Sequence, residues 1–410
     1  MNSSFRNALA AITVALFFSN WPDYAHGRLG ILVPYQWVLG FSVLSLPFLV
    51  RQVVASDFLK LPLLMWCVGY AWLTMVWFIL GPQSDMAWQE VRWRVLAIIE
   101  ILSFAAIFMD PRANMYARFT LVVAVHVGTF INIYELFVPM SFSNVFGRSA
   151  GLYMSPNLSG EALVLGMILG ITVLPAWYRG IFVLLTAIGV FVTFSRGGLV
   201  GWGIGLCGLL LGRFMGVTHL VRTGLVAMAV VILVLLPKAD DLMTTLERTG
   251  SLNANVLERL AWLMDPSGVS DASSWSRKYV AQQAWERVGE QPFLGGGTGA
   301  VHERLDIPPH NQFLAYMMDH GLLGAMLLPL LLLALLWRAQ DESLRVGLIF
   351  CCAVLWFSFF THTMLNNSHS LLLFSLMAAL ASTGLRPMDR VVLSRTVSEH
   401  PSPTLVRIHS

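Results

Sequence analysis

The sequence predicts an all-α polytopic membrane protein, with about twelve transmembrane helices and one long, partly helical loop outside the bilayer. Three observations carry this. Of the 410 residues, 56% are hydrophobic and only 12% charged, whereas a soluble domain is about a quarter charged. Apolar runs recur along the chain, several of them near the roughly 20 residues needed to span hydrocarbon. One polar stretch, Lys238 to His310, interrupts them, and long loops of that kind are uncommon unless functional.

In chain order the runs are Ala8–Phe18, Leu29–Val50, Phe58–Gly81, Trp93–Met109, Ala117–Val138, Gly160–Pro175, Gly180–Phe194, Gly197–Phe214, Leu220–Pro237, Gln312–Trp337, Val346–Thr361 and Ser368–Leu385. The first is short and follows Arg6, but no small-residue cleavage pattern comes after it, so it reads as a helix and not a signal peptide. The chain then divides into helices one to nine (1–237), the loop (238–310), helices ten to twelve (311–385) and a polar, poorly ordered tail (386–410).

Arginine and lysine set the orientation. With the N-terminus inside, the cytoplasmic ends carry Arg6, Arg51, Lys60, Arg112, Arg118, Arg179, Arg213, Arg222, Arg338, Arg345, Arg386, Arg390, Arg395 and Arg407. The short outer loops carry only Arg28, Arg92, Arg94, Arg148 and Arg196. Both termini are therefore expected in the cytoplasm and the long loop on the outer face. The net charge of +3 is small and gives no sign of nucleic-acid binding. Cys67, Cys207, Cys351 and Cys352 all fall in apolar runs, which implies packing residues and no disulfide framework. No repeat relates the two halves, which weighs against the common transporter architectures.

Inside the loop, Leu252, Val256, Leu260 and Leu263 recur at helical spacing within Ser251–Met264. In Ser274–Gly289, Trp275, Tyr279 and Trp285 interleave with Arg277, Lys278 and Arg287, a mixture suited to a helix at headgroup level. Pro292 to Gly299 is glycine-rich but lacks the Lys-Ser/Thr of a phosphate-binding loop, so it reads as a flexible hinge.

The candidate chemistry lies at the outer helix ends. Pro308-Pro309 stiffens the backbone just before His310 and the helix that follows it. A histidine so placed can take a proton near neutral pH; capping or packing is the other reading. Arg196 stands between helices seven and eight, ahead of Gly197-Gly198. An arginine next to hydrocarbon is costly, and the open helix N-terminus behind it suits an anion such as phosphate or pyrophosphate. Snorkelling to headgroups is the alternative. Arg277 supplies a second cation that can neutralise a departing diphosphate without a metal. His302, Glu303, Asp306 and His310 cluster in sequence but match no metal-ligand spacing.

A third outer motif runs from Phe146 to Asn157. Ser155-Pro156 reads as an N-cap and first helical position, and Arg148, Tyr153 and Asn157 can line the same cavity. Thr361, His362, Asn366 and Asn367 are polar enough to meet sugar hydroxyls. Glu100, Glu135 and Glu161 lie within membrane runs and need partners or water.

Taken together, Gly147-Arg148-Ser149-Ala150-Gly151, Ser155-Pro156-Asn157, Ser195-Arg196-Gly197-Gly198, Ser276-Arg277, Pro292 to Gly297 and His310-Asn311-Gln312-Phe313-Leu314 with Gly321-Leu322-Leu323-Gly324 resemble the O-antigen ligase and polymerase superfamily of bacterial inner membranes. The resemblance spans about residues 140 to 370, and the first five helices share only their hydrophobicity. It implies a GT-C-like glycosyltransferase whose donor is a glycan on undecaprenyl pyrophosphate. In the ligase branch the acceptor is a sugar of the lipid A–core oligosaccharide. His310, Arg196 and Arg277 match the family's essential residues, with Arg148, Tyr153, Asn157, Trp275, Asn311 and His362 as substrate-binding candidates. No cofactor, nucleotide sugar or metal is implied. One dominant loop and the length favour a ligase over a polymerase or a protein O-oligosaccharyltransferase of the same superfamily, and a twelve-helix transporter is the reading from another class.

Overall fold

Prolines and short polar side chains open many of the helices. Pro111 and Pro156 occupy first-turn positions, where the missing N–H costs nothing. Ser84, Asp110, Ser195, Asn253 and Asn311 each accept a hydrogen bond from a first-turn backbone N–H. In this computed structural model residues 3–54, 62–265 and 272–384 are described, and every regular element among them is helical. The predicted tail, 386–410, lies outside them.

The helices are α1 (Ser3–Thr13), α2 (Trp21–Leu29), α3 (Pro34–Val54), α4 (Pro62–Leu80), α5 (Asp85–Phe108), α6 (Pro111–Phe137), α7 (Pro156–Gly170), α8 (Ala176–Phe191) and α9 (Arg196–Leu211). They continue as α10 (Val217–Val230), α11 (Ala239–Arg248), α12 (Ala254–Met264), α13 (Ala272–Glu290), α14 (Ala300–Arg304), α15 (Gln312–Leu336), α16 (Asp341–Ser358) and α17 (Ser368–Thr383). Each predicted run falls on a helix. Among the described residues six helical stretches are long and apolar enough to cross a membrane: Pro34–Val54, Pro62–Leu80, Pro111–Phe137, Pro156–Val173, Val217–Arg248 and Gln312–Leu336. This is a multi-pass pattern. The other runs form shorter apolar helices, or helices such as α5 that carry several charges.

Two helices are apolar all round and become the interior. Ser159–Gly170 of α7 and His369–Ala381 of α17 are buried without a break. The inner helix α7 packs on α6, α8, α9 and α16, while α17 packs on α5. By contrast, the stretch Val217–Arg248 buries none of its most apolar window, as expected of a lipid-facing helix.

One expectation is corrected and one is filled in. The predicted, partly helical loop opens with helical structure, which runs through Lys238 to Arg248. Threonine hydroxyls there satisfy helix carbonyls, Thr244 and Thr245 bonding to Asp240 and Asp241 at 2.8 Å. The glycine run is not a flexible hinge but a pinned strap. Gly296 N and Gly297 N donate to the carbonyls of Met318 and Asp319 at 2.8 and 3.0 Å, and Leu322 N donates to Pro292 O at 2.9 Å. These contacts break α15 at Gly321, whose φ of 59° and ψ of −148° suit only glycine. The two predicted loop helices are present as α12 and α13. The loop docks through Ser251 Oγ to Leu136 O (2.5 Å), Asn253 Nδ2 to Phe146 O (3.1 Å) and Arg259 Nη1 to Phe194 O (3.2 Å).

A candidate active site at converging helix N-termini

The turn between α8 and α9 organises the site. Phe194 takes a positive φ of 48°, which reverses the chain and leaves two peptide carbonyls facing outward. Thr193 O accepts from Arg148 Nε at 3.0 Å, and Phe194 O accepts from Arg259 Nη1 at 3.2 Å. The C-terminus of α8 thus anchors two guanidinium groups, as its partial negative charge favours. One residue later α9 begins. Ser195 Oγ accepts from Gly198 N at 3.2 Å and donates to Asn157 Oδ1 at 3.2 Å. The same Asn157 oxygen accepts from Arg148 Nη2 at 3.0 Å. The N-terminal turns of α7, α9 and α15 meet here, and their peptide N–H groups and dipoles favour an anion.

Between these turns lies a cavity of about 430 Å³, lined by Asn157, Arg196, Gly197, Val200, Arg259, Trp262, Arg277, Lys278, Ala281, His310, Asn311, Trp356, Phe359 and Phe360. Its volume falls within the roughly 300–1,000 Å³ of ligand clefts. Three arginines and a lysine line it, and among the described residues no carboxylate does. Arg196 stacks on Trp262, its guanidinium carbon 5.2 Å from the ring centre, which fixes the plane of the fork. Burial first, then the charges of Arg259, Arg277 and Arg196, push Arg148 down to about 9. It sits behind the lining and is buried, so its charge contributes without direct exposure.

His310 is held from both sides. Pro309 behind it is buried, and Asn311 ahead of it caps α15 by accepting from Leu314 N at 3.1 Å. Next in line, Gln312 Oε1 accepts from Met364 N at 2.9 Å, tying this start to the loop that carries His362. The two imidazole centres are 5.7 Å apart. Desolvation by the cavity walls, then the charge of Arg277, lower the pKa of His310 below the ordinary histidine value. Burial and then His310 push His362 further down, to about 4.

The structure therefore gathers His310, Arg196, Arg277, Asn157 and Asn311 on one cavity, with Arg148 behind it and His362 beside it. Two expected residues are not brought there. Tyr153 is buried and donates its hydroxyl to Phe18 O, edge-on to His369 at 5.3 Å, so it supports the wall from outside. Trp275 is 69% exposed and stacks on Tyr279. It lies two positions from Arg277, and residues two apart point to different sides of a helix. Ser155 stands at the N-cap of α7 but its side chain makes no capping bond. His302 instead faces Glu90 at 3.1 Å, and Glu303 accepts from Ser84 Oγ, so the acidic and histidine residues near His310 in sequence turn away from it. Among the described residues no group of three or more His, Cys, Asp or Glu is placed to hold a metal.

The sequence reading passed over Arg259, Lys278 and the aromatic wall. Arg259 and Trp262 are three apart on α12, and Phe359 and Phe360, just past α16, follow its Trp356 by three and four residues. That shared-face pattern was a signal available without coordinates.

Residues 181–329 match the O-Antigen ligase family model. The match covers about a third of the chain, and no curated protein matches. The matched region begins in α8 and ends in α15, so it contains Arg196, Arg259, Arg277 and His310. The motif resemblance and the matched region thus coincide on the cationic half of the cavity. Asn157 and the aromatic end of α16 come from outside the region and complete the wall.

Proposed function

We propose that the protein is an O-antigen ligase of the inner membrane. It transfers O-antigen glycan from undecaprenyl pyrophosphate to a sugar of lipid A–core oligosaccharide, on the periplasmic side, with both termini in the cytoplasm. One observation carries the reading: a single cavity joins a histidine of lowered pKa to three arginines, a lysine and converging helix N-termini, with no carboxylate among its described lining residues. That is a receptor for a multiply charged anion beside a proton acceptor.

In the proposed reaction His310 takes the proton of an acceptor hydroxyl. The hydroxyl oxygen forms the new bond to the anomeric carbon. The bond from that carbon to the diphosphate oxygen breaks, and undecaprenyl pyrophosphate leaves with the electron pair. Arg196 and Arg277 bind the diphosphate and stabilise its growing charge. Attack opposite the leaving group inverts the anomeric centre.

The test uses a strain lacking its own ligase. Losing a general base costs about 10²–10⁴ in rate, and losing a preorganised charge donor about 10²–10³. His310→Ala, Arg196→Ala and Arg277→Ala should therefore each abolish visible capping of lipopolysaccharide on gels while the protein remains in the membrane. Normal capping by all three defeats the assignment. In the parent organism with the gene for this protein deleted, capping with one repeat points to a polymerase, and unaltered lipopolysaccharide points to a transporter.

A further inference from the structure

A second chamber of about 180 Å³ adjoins the cavity. Asn157, Gly197, Arg277, His310 and Phe360 line both. Beyond that common wall the chemistry changes. The first space adds Arg196, Arg259 and Lys278; the second adds Glu161, Ser155, Thr361, His362 and Thr363. One side is built of cations, the other of hydroxyls, a neutral imidazole and a carboxylate.

Glu161 is the informative member. It is buried on α7, and its Oε1 accepts from Ser370 Oγ at 3.3 Å and stands 3.7 Å from His369 Nε2. Both contacts use Oε1, and Glu161 lines the chamber. A carboxylate repels a diphosphate but accepts strong hydrogen bonds from hydroxyls. On the same chamber wall, His362 Nδ1 is buried without a hydrogen-bond partner. With a pKa near 4 that ring is neutral at physiological pH, so it offers one donor and one acceptor. Threonine hydroxyls, a neutral imidazole and a carboxylate are groups that recognise a polyol ring.

We propose that this chamber is the subsite for the acceptor sugar, with Glu161 anchoring ring hydroxyls while the attacking hydroxyl faces His310. The proposal rests on the ligase reading above. If the diphosphate leaves on the arginine side, the attacking oxygen must come from the opposite side of the anomeric carbon. The chamber beside His310 that lacks Arg196, Arg259 and Lys278 is the space that fits.

The test is transfer by the full-length protein in proteoliposomes, with undecaprenyl-pyrophosphate-linked glycan as donor and purified lipid A–core as acceptor, each varied in turn. Glu161→Gln should raise the acceptor KM about ten- to a hundredfold, the worth of a charge-assisted hydrogen bond. Thr361→Val should raise it about three- to tenfold. The donor KM should stay within about twofold in both, a split that general loss of structure would not give. A rise in donor KM with acceptor KM unmoved assigns the chamber to the donor sugar and overturns the proposal, as does no change in either. Should Glu161→Gln lose the fold along with its His369 contact, Thr361→Val, which leaves that pair intact, decides by the same ratio. Absence of transfer by the wild-type protein overturns the ligase reading itself.

Discussion

His310 stands where two demands oppose each other. A diphosphate needs cations around it, and those same cations disfavour a proton on the base. Here the outcome suits a base: cavity desolvation and then Arg277 hold the imidazole below its usual pKa of about 6.5. A lowered pKa means that the ring is already neutral at lower pH, so the rising limb of kcat/KM against pH should have its midpoint below about 6.5. Arg277→Gln removes one of the two causes and should move that midpoint upward, separately from its loss of rate. A midpoint at or above the free-histidine value, or one indifferent to Arg277→Gln, contradicts the assignment of His310 as base. Membership of the cavity wall was legible in the sequence where backbone stiffness or membrane cost singled a residue out, as for His310 after two prolines and Arg196 beside hydrocarbon. They were not legible where a side chain's direction decided, as for Tyr153, turned to Phe18, and Trp275, turned away from Arg277.

At the scale of elements, the glycine strap shows how a loop can be rigid without side chains. A Cβ on Gly295 would stand 2.5 Å from Gly321 N and 2.6 Å from Asp319 O; one on Gly321 would stand 2.3 Å from Phe293 O. The strap and the broken turn of α15 therefore fit only as glycine against glycine. Beneath them Asp319 bonds to Arg94, which is 2% exposed, and accepts from Val301 N at 3.0 Å. Tyr70 and Tyr316 hydroxyls meet at 2.6 Å alongside. This buried polar set locks α5, α14 and α15 together, and with them the helix that starts at His310. Gly321→Ala should destabilise by at least the roughly 1–3 kcal/mol of a strained backbone, with the clash added. Gly289→Ala, in α13 with open space where its Cβ would lie, should be neutral or stabilising by up to about 1 kcal/mol. Thermal unfolding of the purified protein checks both, and equal Tm values for the two variants would refute the close-packing account. Periodicity revealed the helices, including α12 and α13, but the strap read as a hinge because its partner, α15, lies some twenty residues later. Only the fold brings the two together.

The whole molecule has two unlike ends. At one, the starts of α7, α9 and α15 surround the cationic cavity. At the other, as at the end of α8 beside the site, arginines cap helix C-termini. Arg6 donates to Ile107 O and Ala106 O at the end of α5 (2.9 and 2.6 Å). Arg345 donates to Gly212 O after α9 (2.7 Å), and Arg179 donates to Phe214 O (2.7 Å). Each cation meets the partial negative charge of a helix terminus. These are the residues that the charge bias assigned to the cytoplasm, so the bias and the capping describe one surface. The proposed orientation puts that surface in the cytoplasm, since arginine near a membrane boundary is retained on the cytoplasmic side. The 27 residues of α6 rise about 40 Å at 1.5 Å each, more than the roughly 30 Å of hydrocarbon, so its two ends sample opposite faces. Arg112 is exposed at its start, and Glu135 at its other end holds the peptide N–H groups of Phe142, Ala150 and Gly151, next to the site. Arg287 on α13 is exposed at the site end. With Cys67, Cys207, Cys351 and Cys352 replaced, the thiol introduced by Arg287→Cys should react with a membrane-impermeant maleimide in intact spheroplasts. The thiol from Arg112→Cys should react only after lysis. Reversal of that pattern would turn the cavity to the cytoplasm and overturn the proposed orientation.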